Sequence, residues 1–112
     1  MSYITTHVLD TSKGKPASGI KIMLFKNDDE EWKTIAGGIT NNDGRIVDLL
    51  EKNVFPGAGV YKLKFETKEY FDADAVETFY PFVEIIFEIK DKQHYHVPLL
   101  VNPFGYSTYR GS

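Results

Sequence analysis

The chain has 112 residues, of which 42% are hydrophobic and 14% aromatic. That is enough apolar material for one domain spanning 1–112 with one core, and it argues against disorder. A formal net charge of −3 without a basic stripe leaves no electrostatic footprint for nucleic acid, and no apolar run approaches the length of a membrane span. With no Cys there are no disulfides, thiolate metal sites or Cys nucleophile, which is compatible with a reducing compartment. The start, Met1-Ser-Tyr-Ile-Thr-Thr-His7, lacks the charged stretch and apolar core of a signal peptide. The expected location is the cytoplasm.

Taken in order, the elements are short and mostly of period two. Tyr3 to Leu9 reads as a strand, and Lys13-Gly-Lys-Pro16 as the turn after it. Ile20 to Phe25 is a continuous apolar run flanked by Lys, expected as a strand covered on both faces. Asn27-Asp-Asp-Glu30 precedes a strand from Trp32 to Ile39. The contiguous carboxylates Asp28 to Glu31 lack the alternate spacing of a calcium loop and suit a solvated hairpin tip. Asn41-Asn-Asp-Gly44 is a turn that presents Arg45, with Arg45 to Leu49 expected to continue as a strand.

The second half repeats the pattern. After Phe55-Pro-Gly57, Tyr61, Leu63 and Phe65 alternate with charged residues, as in a half-buried strand. Glu69 to Thr78 breaks the alternation and predicts a short helix ended by Pro81. Phe82 to Lys90 is a strand apolar on much of both faces, suited to edge pairing with another subunit. His94 to Val101 and Tyr106 to Arg110 are the last strand candidates, separated by Asn102-Pro103. About eight short strands with one helix predict an all-β, antiparallel β-sandwich.

The candidate chemistry lies on strand faces. Tyr95, Val97, Leu99 and Val101 share the inward face of their strand; His94, His96, Pro98 and Leu100 share the other. Pro98 and Leu100 would be wasted on water, so this outer face is expected to be buried against another subunit. If Thr6 and Val8 point inward, His7 and Leu9 lie outward as well. His7, His94 and His96 could also be arranged as metal ligands, but no carboxylate is obviously placed to orient them. The chain ends on Tyr109-Arg110-Gly111-Ser112, an aromatic, a cation and a hydroxyl where a terminus is usually plain and frayed.

Two segments, His7-Val-Leu-Asp-Thr-Ser-Lys-Gly-Lys-Pro-Ala17 and Val97-Pro-Leu-Leu-Val-Asn-Pro-Phe-Gly-Tyr-Ser-Thr-Tyr-Arg-Gly-Ser112, resemble the signature blocks of 5-hydroxyisourate hydrolase. This is the enzyme branch of the transthyretin-like family, and Thr40-Asn-Asn-Asp-Gly-Arg45 belongs to the same resemblance. In hormone-carrying transthyretins the terminal block and the histidines are replaced. The resemblance implies a transthyretin-like (prealbumin-like) sandwich that assembles as a homotetramer, a dimer of dimers with its sites at the dimer–dimer interface. It implies hydrolysis of 5-hydroxyisourate to 2-oxo-4-hydroxy-4-carboxy-5-ureidoimidazoline without cofactor or metal. His7, Arg45, His96 and Ser112 would be catalytic, and His7, Arg45, Tyr109 and Arg110 would bind substrate. Base duty falls provisionally to His7 and support to His96, although the residues themselves do not separate the two. The rival readings are a transthyretin-type carrier of small ligands and a plain interaction sandwich.

Overall fold

The computed structural model describes residues 2–111. Eight strands and one helix follow in order: β1 (Ile4–Asp10), β2 (Lys15–Pro16), β3 (Lys21–Asp28), β4 (Glu31–Ile39), β5 (Gly59–Phe65), α1 (Thr67–Ala73), β6 (Val83–Ile89), β7 (Tyr95–Asn102) and β8 (Gly105–Thr108). They form two four-stranded sheets, ordered β2-β1-β7-β8 and β4-β3-β5-β6. The expected sandwich is therefore present, with one departure from the antiparallel pattern. β1 and β7 run parallel, with Thr5 opposite His96 and His7 opposite Pro98. The pair joins the two ends of the chain, so no hairpin constrains its direction.

Period-two alternation builds the interior. Ile4, Val8, Val97, Leu99 and Val101 from the first sheet meet Ile22, Leu24, Tyr61, Leu63, Phe65, Val83 and Ile89 from the second. Thr6 and Asp10 are the polar members of the inward row of β1, and both are bonded. Thr6 Oγ1 donates to the Val97 carbonyl at 2.7 Å. Asp10 accepts from Ser12 N and Oγ and, at 2.8 Å, from the Tyr70 hydroxyl on α1. Burial alone would raise the Asp10 carboxyl, but those donors outweigh it and hold it below the ordinary range.

Three expectations need correcting. The helix covers Thr67–Ala73 and not 69–78, because Thr67 and Phe71 anchor it one turn apart in the core. Ala75 then takes a left-handed φ of 55°, and Val76 N bonds back to the Phe71 carbonyl, ending the helix well before Pro81. Arg45 to Leu49 is no strand. Arg45 makes a single bridge to His7, Ile46 packs over Gly38, and Asp48 turns the chain away at φ 57°. Finally, β8 stops at Thr108, so Tyr109 and Arg110 leave the ladder. The acidic segment does form the β3–β4 tip, with Asp29 and Glu30 both at positive φ.

The end of β8 has a local cause. Pro98 has no N–H, so the position opposite it loses a ladder donor, and the Pro98 carbonyl accepts instead from the Thr108 hydroxyl at 2.7 Å. The chain swings out at Tyr109 and Arg110, then returns in the same register, where Gly111 N donates to the His96 carbonyl at 2.9 Å. The segment after β8 is thereby drawn back along the edge of β7, beside the His96 ring.

Candidate functional site

The outer face of β1 and β7 carries Thr5, His7 and Leu9 beside His96, Pro98 and Leu100, with the His94 ring just ahead of β7. Two non-strand segments flank this face. On one side is the turn 41–45. Asn41 Oδ1 accepts from Asp43 N and Arg45 N, and Asn41 N bonds the Arg45 carbonyl at 2.8 Å. Gly44 sits at φ 74°, and its carbonyl takes the Val8 N–H at 2.9 Å. A Cβ there would stand 2.4 Å from the Val8 carbonyl oxygen and 3.3 Å from the His7 ring, so only glycine lets the turn lie this close. The result places Arg45 over His7, with Nη2 3.5 Å from His7 Nδ1.

On the other side is the returning tail. A Cβ on Gly111 would stand 2.5 Å from His96 Cδ2, so the tail lies flush against the imidazole only because that side chain is missing. Arg110 is turned away from the histidines: its guanidinium stacks 4.4 Å over the Tyr95 ring and donates to Gln93 Oε1 at 3.2 Å. Tyr109 is exposed, and both residues line an open cleft of about 360 Å³ with Ile86, Phe87, His96 and Thr108. Ser112 lies outside the described residues.

Both site imidazoles are held below their ordinary value. Burial is the main cause for His7, followed by the Arg45 cation; the Asp43 backbone and charge pull the other way more weakly. For His96, burial again leads, followed by Arg45, His94 and His7. The effects of Arg45 and His7 on His96 show that the three groups form one electrostatic cluster, although they come from positions 7, 45 and 96. Neutral imidazoles beside a fixed cation can accept and return protons near neutral pH and can bind an anion or a polarised carbonyl.

Thr5 is the site residue that the sequence reading missed. Its Oγ1 lies 2.8 Å from both His94 Nε2 and His96 Nδ1. The signal was present, since Thr5 precedes His7 by two on the same strand face. Among the described residues, no group of three His, Asp or Glu converges on a point that could hold a metal ion. No helix among them is long and apolar enough to cross a membrane.

Known proteins share this fold and much of this sequence. A probable 5-hydroxyisourate hydrolase of Caenorhabditis elegans is 46% identical over 110 residues, covering 97% of this chain and 81% of the relative. The mouse 5-hydroxyisourate hydrolase is 44% identical over 114 residues, covering 99% and 96%. Among solved structures, 5-hydroxyisourate hydrolase from Klebsiella pneumoniae aligns with a TM-score of 0.84 at 38% identity, over 97% of this chain and 98% of that one. Sea bream transthyretin in complex with thyroxine gives 0.91 at 32% identity, over 98% and 95%. The HIUase/Transthyretin family model matches residues 4–111. On that match and those identities, the chain belongs to the HIUase/Transthyretin family.

Proposed function

We propose that the chain is a one-domain 5-hydroxyisourate hydrolase. It opens the six-membered ring by water attack on the amide carbonyl to give 2-oxo-4-hydroxy-4-carboxy-5-ureidoimidazoline. The observation that carries this reading is the convergence of His7, Arg45 and His96 on one sheet face, with both imidazoles biased to the neutral form. Overall fold does not discriminate, because the sea bream transthyretin aligns as well as the hydrolase does. Identity of 44–46% to named hydrolases, with the two histidines and the guanidinium gathered on that face, favours the enzyme over a carrier.

Roles follow from which ring nitrogens are engaged. We assign the His7 hydrogen to Nε2, as a donor, because Arg45, 3.5 Å from Nδ1, can only donate. His96 is engaged through Nδ1 by Thr5, leaving Nε2 for water. This moves base duty from His7 to His96. In the proposed step, His96 Nε2 takes a proton from water as its oxygen bonds to the carbonyl carbon. Arg45 and His7 donate to the developing oxyanion. The C–N bond breaks, and the His96 imidazolium returns the proton to the leaving nitrogen. Tyr109 and Ser112 are assigned to substrate binding, and Arg110, engaged with Tyr95 and Gln93, to holding the tail in place.

Assembly and location belong to the same reading. Ile86 and Phe82 on the open edge at β6, and Phe104 and Tyr106 at the β8 edge, are exposed apolar side chains suited to edge pairing. The half-buried Leu9 and Leu100 on the histidine face suit stacking of two such dimers into a tetramer. A cytoplasmic location accords with the lack of Cys. The deciding experiment generates 5-hydroxyisourate from urate with urate oxidase and follows its ultraviolet decay. Acceleration by catalytic amounts of protein is expected; saturable binding without acceleration would make the chain a carrier.

A further inference from the structure

The two short contacts at Thr5 carry a consequence for the chemistry of His96. A threonine hydroxyl has one hydrogen and two lone pairs, so Thr5 can donate to only one of its two imidazole partners. In one arrangement Thr5 donates to His94 Nε2 and accepts from His96 Nδ1–H. His96 then keeps an unprotonated Nε2. In the other, His94 Nε2–H donates to Thr5, Thr5 donates to His96 Nδ1, and the His96 hydrogen sits on Nε2. The first arrangement yields a base and the second a donor.

The state of His94 selects between them. A neutral His94 can accept at Nε2, whereas a protonated one carries hydrogens on both nitrogens and can only donate there. The rings of His94 and His96 lie near parallel with centroids 6.3 Å apart, bridged by the hydroxyl on the neighbouring strand. Resting on the assignment of His96 as base, we propose that Thr5 and His94 are positioning residues. Thr5 donates to neutral His94 and so keeps the His96 hydrogen on Nδ1 and the Nε2 lone pair on the reacting side. Proton uptake from water at Nε2 leaves the Nδ1–H bond to Thr5 unchanged, so the arrangement serves both before and after the transfer. Besides His94, the charged and titratable groups that act on His96 are His7 on β1 and Arg45 in the flanking turn, while the Arg110 cation is occupied with Tyr95 and Gln93.

The direct test reads the ring nitrogens of the three histidines by ¹⁵N-detected NMR on the intact chain across pH. Neutral His96 is expected to carry its hydrogen on Nδ1. Thr5→Val should abolish that preference, and Thr5→Ser should restore it. Neutral His96 found as Nε2–H throughout, or an unchanged tautomer in Thr5→Val, would overturn the proposal. In turnover, Thr5→Val should lower kcat about tenfold or more with KM within about threefold, and Thr5→Ser should recover most of the loss. The NMR result stands whether or not 5-hydroxyisourate proves to be the substrate, so the two readings can fail separately.

Discussion

The two site histidines sit on neighbouring strands and are both depressed, yet the chain holds them by opposite means. His7 is held by a turn: Asn41 organises the loop, Gly44 lets it approach, and Arg45 supplies a cation. His96 is held by a hydroxyl on the next strand and by a tail that returns to the register after Pro98. Each ring is flanked by a glycine whose missing Cβ makes the close approach possible. The lesson is that a polar pocket on a flat sheet face needs walls, and here they come from a turn and a terminal segment. The turn is stapled by five hydrogen bonds from backbone N–H groups, two of them accepted by the Asn41 side chain, whereas among the described residues the tail makes one backbone bond. The His96 side should therefore be the easier one to disturb without unfolding.

That asymmetry can be tested in order of expected effect. His96→Ala should cost the most turnover, about two to four orders of magnitude if it is the base; His7→Ala, which removes a donor, should cost about two. Equal losses, measured by the ultraviolet decay assay, would cancel the division of labour. Removing Arg110 to Ser112 should abolish most activity while changing the thermal midpoint little, because among the described residues the deleted segment makes one ladder bond and the exposed Arg110 contacts with Tyr95 and Gln93. Full activity in the shortened chain would exclude the tail from the site.

Smaller substitutions sharpen the same contrast. Gly44→Ala forces a Cβ against the Val8 carbonyl at positive φ and should cost roughly 1–3 kcal/mol of stability. Gly111→Ala pushes only on the His96 ring, so activity should fall about tenfold with little change in stability. Chemical denaturation and turnover, run on both variants, separate the two effects. Charge provides the mildest probe. Both imidazoles titrate below the ordinary 6.5, so the acid limb of kcat/KM should lie below that pH, with activity lost as pH falls through the depressed values. Arg45→Gln removes the cation but not the burial, and should shift the limb upward while lowering the rate. A limb that stays in place would mean that Arg45 does not act on the histidines electrostatically.

Much of this was legible in the residues. Alternation revealed the strands, because a half-buried strand writes its two faces into every second position. It also placed His7 and His96 on an outer face that the structure indeed leaves half-buried. Where local pattern and tertiary contact compete, the reading failed. Arg45 to Leu49 has strand-like residues, but Ile46 is drawn onto Gly38 and the chain turns at Asp48. The helix was displaced because Thr67 and Phe71 are anchored in the core, an interaction with no local signature.

The amino-acid sequence by itself determined the sandwich class, the inward and outward rows of β1 and β7, and the residue types at the site. Each of these depends on neighbours one or two positions away. The tertiary structure alone decided that β1 and β7 pair in parallel, which brings Thr5 between His94 and His96. It also decided that a turn and a tail close on the two rings. Those contacts join residues fifteen to about ninety positions apart, and only packing of the chain sets their geometry.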